Sequence, residues 1–201
     1  MKAVLFATIM EAGPFLNQME QRYVKVSSPQ DIFHFEGGSA GKTVLVAIVG
    51  MGKEAAREGT RRIVDRYAPA SVLNIGIAGA LRENRCIGDI FRVGLAVDWQ
   101  ESNQETFRLD SGEFAALPEA TLISVDEPVF DEQRKRSLSR HGDIVDMEGA
   151  AIAAVCRNRD VPCVQIKGIS DTAKTGDKTL LRKNLASVST ALADTVIPRL
   201  S

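Results

Sequence analysis

The chain has 201 residues, 44% of them hydrophobic and 25% charged, with a formal net charge of -1. This size and composition suit a single α/β domain over residues 1–201 with one substantial core. No run of Lys and Arg exceeds the three of Arg134-Lys135-Arg136, so the extended cation clusters that track a phosphate backbone are missing and nucleic acid is not an expected partner. No apolar run has bilayer-spanning length, so no membrane partner is expected. Residues 1–8 carry one lysine and then a strand-length apolar stretch, without the longer apolar region and cleavage site of a secretory signal. Cys86, Cys156 and Cys163 are odd in number and form no CxxC. That argues against a disulfide framework and for the reduced cytoplasm.

In chain order, residues 2–9 are almost continuously apolar, as in a strand buried on both faces. Residues 11–22 read as a helix with Pro14 tolerable in its first turn. Residues 32–35 and 43–49 read as strands joined through Gly37-Gly38 and Gly41. Gly50-Met51-Gly52 opens a helix to about residue 67, with Pro69 beyond its end. A buried strand over 71–75 runs into Gly76-Ile77-Ala78-Gly79-Ala80. Further strands are expected at 89–97 and 121–125, and a charged helix at 130–140. A short strand at 143–145 precedes a small-residue helix at 148–157. The last strand is 161–169 and the closing helix 177–197. Residues 100–117 are polar and weakly patterned, a surface excursion or lid. Such alternation predicts an α/β layer fold around a largely parallel sheet.

Open α/β sheets bind ligands beyond the carboxyl ends of their strands, and unusual residues recur at that edge. Glu11 follows the first strand, Gly76 to Ala80 the 71–75 strand, Met147-Glu148-Gly149 the short strand, and Ser170-Asp171 the last one. Each has an ordinary explanation. Glu11 and Glu148 suit the first turn of a helix, Asp171 suits a cap or turn, and the glycines suit a tight turn between strands. Their recurrence at one edge favours a shared site, with Asp146 supporting the turn beside it. Gly50-x-Gly52-Lys53 suggests an anion-binding helix start but lacks the Walker spacing. His34 and His141 are too few and isolated for zinc, and Ser170 has no base partner for nucleophilic work.

Three segments, Asn74-Ile75-Gly76-Ile77-Ala78-Gly79-Ala80, Val145-Asp146-Met147-Glu148-Gly149-Ala150-Ala151 and Lys167-Gly168-Ile169-Ser170-Asp171, resemble the purine nucleoside phosphorylase/nucleosidase superfamily. The likeness is nearest to methylthioadenosine/S-adenosylhomocysteine nucleosidase and futalosine hydrolase. It covers nearly the whole chain, Met10-Glu11-Ala12 and Gly50-Met51-Gly52-Lys53 included. The resemblance implies a three-layer αβα fold with a central mixed, largely parallel sheet. It implies hydrolysis of a 5′-modified purine nucleoside by a homodimer that uses no metal and no cofactor.

Residue by residue, the resemblance gives Asp171 the role of donating a proton toward purine N7. That requires a protonated carboxyl near neutrality, which burial or a neighbouring carboxylate would favour. Glu148 matches the carboxylate that accepts hydrogen bonds from ribose hydroxyls, with Met147 packed on the sugar. Glu11 matches the group that orients or deprotonates water. Ile77, Ala78, Gly79, Ser170 and Phe130 fall where relatives line the substrate.

The sequence departs from phosphorolytic relatives at Asn74 and Ile77, where they carry an arginine and a serine, so water is the expected nucleophile. Phosphorolysis is the alternative, and a nucleoside-binding protein without catalysis is a second. The residues from 172 to 182 include no aromatic to cover a 5′ group.

Overall fold

The computed structural model describes residues 1–27, 31–37, 42–100, 103–172 and 178–200. The elements in order are β1 (Lys2–Phe6), α1 (Ile9–Arg22), β2 (Val24–Ser27), β3 (Ile32–Gly37), β4 (Lys42–Ile48), α2 (Lys53–Tyr67) and β5 (Ser71–Ala80). There follow β6 (Ile90–Trp99), β7 (Gln104–Arg108), a 3-10 turn at Gly112–Phe114, β8 (Glu119–Ser124) and α3 (Glu132–Leu138). The chain closes with β9 (Ile144–Asp146), α4 (Gly149–Asn158), β10 (Cys163–Asp171), α5 (Lys178–Val196) and a 3-10 turn at Ile197–Arg199.

The continuous apolar runs reflect burial on both faces of the sheet. In β1, Val4 and Phe6 join one core while Ala3 and Leu5 join another. β4 repeats the alternation with Val44 and Val46 against Leu45 and Ala47. Phe15, Leu16 and Met19 of α1, with Val188, Leu192 and Val196 of α5, cover the first face. Ala56 and Ile63 of α2, with Ile152 and Cys156 of α4, cover the second. The result is three layers, αβα. No helix among the described residues is long and apolar enough to cross a membrane.

The sheet is mixed. β5 runs parallel to β1 on one side and to β10 on the other, and β1 continues through β4 to the β3–β2 edge. β10 then pairs antiparallel with β6, β6 parallel with β8, β8 parallel with β9, and β9 antiparallel with β5. β5, β10, β6, β8 and β9 therefore close into a ring, from which β1, β4, β3 and β2 extend as an open arm. β5 serves both parts. Its first half pairs β1 as far as Asn74, and its end pairs β9 from Gly79. Between those points one side of β5 has neither β1 nor β9 beside it. This is the topological switch point at which such sheets open a crevice.

Several expectations need correction. Gly76 to Ala80 do not form a turn; they continue β5, and neither Gly76 nor Gly79 has a positive φ. The glycines answer instead to close approach by other side chains, described below. Residues 100–117 are not a lid as far as they are described. β7 adds antiparallel to β6, Phe107 is buried, and Phe114 of the following 3-10 turn joins the first core. One inward Phe in a polar five-residue strand leaves too weak an alternation to read from sequence. The edge strand β2 was equally illegible, and α3 begins after Phe130 rather than at it. The expected connection through Gly38 and Gly41 lies outside the described residues, as do residues 173–177 before α5.

If β7 is structural, Phe107→Ala costs about 3–5 kcal/mol, the range for emptying a buried aromatic site. Denaturant unfolding measures this, and a loss below about 1 kcal/mol would mean the segment is a loose flap after all.

Candidate active site

Glu11 sits in the first turn of α1, where Thr8 caps the helix by accepting from the Glu11 amide at 3.3 Å. The Thr8 hydroxyl also donates to Glu11 Oε1 at 2.9 Å. The other oxygen, Oε2, accepts from the Ile77 amide at 3.3 Å. That amide belongs to the stretch of β5 at the switch point. A Cβ on Gly76 would lie 2.8 Å from Glu11 Oε2 and 3.2 Å from Lys167 Nζ. Glycine is needed here so that two charged side chains can cross the strand, not to make a turn.

Glu148 precedes α4 without capping it. Asp146 does that work: its Oδ1 accepts from the Glu148 amide at 3.3 Å and its Oδ2 from the Gly149 amide at 2.9 Å. Ser124 donates to Asp146 Oδ1 at 2.6 Å and accepts from the Ala150 amide at 2.8 Å. Freed from capping, the Glu148 carboxylate accepts from the Gly52 amide at 2.7 Å. Gly52, with φ 87°, is the cap residue of α2. The anion at this helix start is thus the protein's own Glu148. Lys167 of β10, buried within the sheet, reaches Asp146 Oδ2 at 2.9 Å.

Asp171 ends β10, half-buried, after an irregularity in the β10–β5 register between Ile169 and Asp171. Such bulges re-aim the side chains beside them. The Ser170 hydroxyl donates to Asp171 Oδ2 at 3.0 Å. A Cβ on Gly79 would lie 2.9 Å from Asp171 Oδ1, so this glycine too makes room for an acid.

These groups line one cavity of about 210 Å³, the scale of a small molecule rather than a polymer. Glu11 enters from α1, and Ile77, Ala78 and Gly79 from β5. Met147 and Glu148 enter from the β9–α4 junction, and Ser170 and Asp171 from β10. Phe130 reaches it from the loop before α3, and Met51 from the loop before α2. All nine expected site residues therefore meet. Asn74 does not line the cavity; its amide donates to the Leu5 carbonyl between β5 and β1. Among the described residues no group of three His, Cys, Asp or Glu side chains is arranged to hold a metal ion.

The electrostatics follow from one cation facing three buried acids. Burial raises Glu11 above the usual carboxylate value, with Lys167 opposing part of the rise. Burial, reinforced by the negative charge of Asp146, pushes Glu148 up to about 7. Burial alone would pull Lys167 down, but Asp146, Glu148 and Glu11 outweigh it and hold the ammonium above its ordinary value. Local sequence pattern assigns Lys167 no role. The signal that could have found it is a lone lysine in the otherwise uncharged strand Cys163 to Ser170, where only paired charge survives burial.

Carboxylates and a buried cation around a small pocket at the switch point of a mixed sheet make this the candidate small-molecule site of an α/β enzyme. A sequence profile described as Phosphorylase superfamily matches residues 3–108 and 100–197, and the chain belongs to that superfamily. It is 30% identical over 172 residues to 5′-methylthioadenosine/S-adenosylhomocysteine nucleosidase of Shewanella oneidensis, covering 71% of this chain and 72% of that one. Among solved structures, the same nucleosidase of Helicobacter pylori with butyl-thio-DADMe-Immucillin-A superposes with a TM-score of 0.86 at 21% identity. The match covers 99% of this chain and 97% of that one. Futalosine hydrolase of Helicobacter pylori gives a TM-score of 0.86 at 20% identity, covering 99% and 96%.

The raised Glu148 has a consequence for stability. Its folded value of about 7 exceeds its ordinary 4.5, so its contribution is fully present below pH 4.5 and is lost as pH rises through 7. Glu148→Gln keeps an acceptor for the Gly52 amide and removes the titration. Between pH 5 and pH 8 the stability of this variant relative to the parent should improve by on the order of 2 kcal/mol. Denaturation curves that change in parallel across this pH range would show that Glu148 is not so perturbed.

Proposed function

We propose that the chain hydrolyses the N-glycosidic bond of a 5′-modified purine nucleoside, of the methylthioadenosine/S-adenosylhomocysteine or futalosine type, to free base and ribose derivative. The observation that carries this reading is the convergence of Glu11, Glu148 and Asp171 from three separate elements on one small cavity. Cleavage makes the ribose cation-like and the departing base anion-like, so the site must meet each charge where it develops. Asp171 gives a proton to purine N7 as the C1′–N9 bond breaks, and the electron pair leaves with the base. Glu148 accepts from the ribose hydroxyls, and its carboxylate favours the oxocarbenium-like ring, while Met147 packs on the sugar. Glu11 takes a proton from the water whose oxygen bonds to C1′. Ile77, Ala78, Gly79, Ser170 and Phe130 form the remaining walls around base and sugar.

Water rather than phosphate is supported by charge. Holding a phosphate dianion calls for arginines or an amide cradle. Among the described residues the cavity lining contains neither arginine nor lysine, and Lys167 is already engaged by Asp146. Three acids against one cation repel a dianion. Cytoplasmic operation is supported by the free thiols of Cys86, Cys156 and Cys163. A homodimer is supported by the exposed apolar side chains of Ile9, Met10, Met51 and Phe130, two of which, Met51 and Phe130, line the cavity and leave apolar surface for a second copy to cover.

Incubation with a nucleoside panel, with and without phosphate, should release base at equal rates in both arms, with mass spectrometry finding free ribose derivative. Strict phosphate dependence, with ribose-1-phosphate as product, would mean phosphorolysis; binding without any turnover would mean a non-catalytic receptor. Asp171→Asn should lower kcat by about 100- to 10,000-fold, the worth of a positioned acid, while nucleoside binding survives. Sedimentation should give twice the chain mass at micromolar concentration and Met10→Glu should shift it toward the monomer; a monomeric parent protein would refute the dimer.

A further inference from the structure

Lys53 stands outside the catalytic carboxylates, yet it is buried, with only 7% of its surface exposed. A long cation is seldom buried unless it is paired. Lys53 opens α2, directly after Gly52, whose amide holds Glu148. From there its ammonium reaches three oxygens on two other parts of the chain, two of them in ion pairs and one, the Trp99 carbonyl, by a hydrogen bond. Asp98 Oδ1 lies at 2.6 Å and the Trp99 carbonyl at 3.1 Å, both at the end of β6. Asp126 Oδ1 lies at 3.3 Å, in the loop after β8. Val125, Pro128, Val129 and Phe130 of that same loop line the cavity, and Met51 lines it from the loop before Lys53.

We propose that Lys53 is a positioning residue whose buried ammonium ties together two loops that both line the pocket. On one side it fixes Gly50-Met51-Gly52, and through the Gly52 amide the carboxylate of Glu148. On the other it fixes the loop from Val125 to Phe130 through Asp126. Asp98, whose side chain is 12% exposed, is the anchor, because it sits on the regular strand β6 and not on either loop. Without the tie, each loop has lost its link to the other, and the pocket pays an ordering cost whenever a nucleoside binds. The tie touches neither substrate nor reacting atoms. It acts through Gly52 and Asp126, and its functional part rests on the nucleosidase reading above.

The test uses Lys53→Met, which keeps the apolar stem and removes the charge. Asp98 still has the Arg57 guanidinium at 3.9 Å. Asp126→Asn serves as the second variant, because the Asp126 side chain is 70% exposed and its change does not threaten the core. The first measurement is amide hydrogen exchange by NMR at Gly52 and in residues 125–130, which needs no substrate. Protection at Gly52 should fall by about tenfold in Lys53→Met, as for a locally opened loop. Asp126→Asn should loosen residues 125–130.

The second measurement is the KM-against-kcat split on methylthioadenosine. KM should rise about tenfold with kcat changed far less, a modest part of the roughly 100-fold that a misplacement of ~1 Å can cost. Unchanged exchange in both variants overturns the tie. Loosened exchange with an unchanged KM overturns its positioning role. Should the parent protein release no base from any nucleoside, the functional reading fails, and the tie stands or falls on exchange alone. If Lys53→Met does not fold, Asp126→Asn decides.

Discussion

Glu11, Asp146 and Glu148 are all buried at the pocket, and an unpaired buried charge costs several kcal/mol. Lys167 makes that burial possible. Its ammonium lies against Asp146, and Asp146 is itself held by Ser124 and by the amides of Glu148 and Gly149. The remaining imbalance falls on Glu11 and Glu148, both of which hold protons more readily than exposed carboxylates do. Burial raises both Glu11 and Glu148, and the buried lysine limits that rise. It has room to do so because β10 pairs Lys167 with Gly76 of β5, the one neighbour without a side chain to block it.

The same region of β5 explains why the pocket lies where it does. β5 exchanges β1 for β9 along its length, and the backbone between Asn74 and Gly79 loses its neighbour on that side. A buried amide left without a partner is costly, and Glu11 supplies the acceptor for Ile77. One contact thus satisfies the strand, orients the carboxylate and joins α1 to the switch point. At the other end of this stretch Gly79 leaves space for Asp171. The two glycines of Gly-x-x-Gly admit two different acids to one strand, a packing role that shares nothing with the flexible turn such residues usually mark.

Charge also bears on the choice of nucleophile within a superfamily named for phosphorolysis. Where an anion could have met the start of α2, Glu148 already accepts from the Gly52 amide. The helix start that elsewhere receives a ligand's negative charge here helps to hold a carboxylate of the protein.

What the sequence determined by itself is the layer order and the acids. Strands buried on both faces announce themselves as unbroken apolar runs, as in residues 3–6 and 44–47, because every side chain meets core whichever way it points. Helix caps and breakers are likewise local, so α1, α2 and α4 lie within two residues of where pattern puts them. Glu11, Glu148 and Asp171 were legible because each follows a readable strand. The tertiary structure alone decided the rest. That Gly76 and Gly79 serve close approach depends on Glu11, Lys167 and Asp171, which lie far from them along the chain. That Lys167 is paired and Lys53 buried depends on carboxylates brought close by strand order. That β7 is a strand depends on β6 offering an edge to a segment too polar to declare itself. Local pattern reports whether a residue is buried; only the folded chain decides which charge it is buried beside.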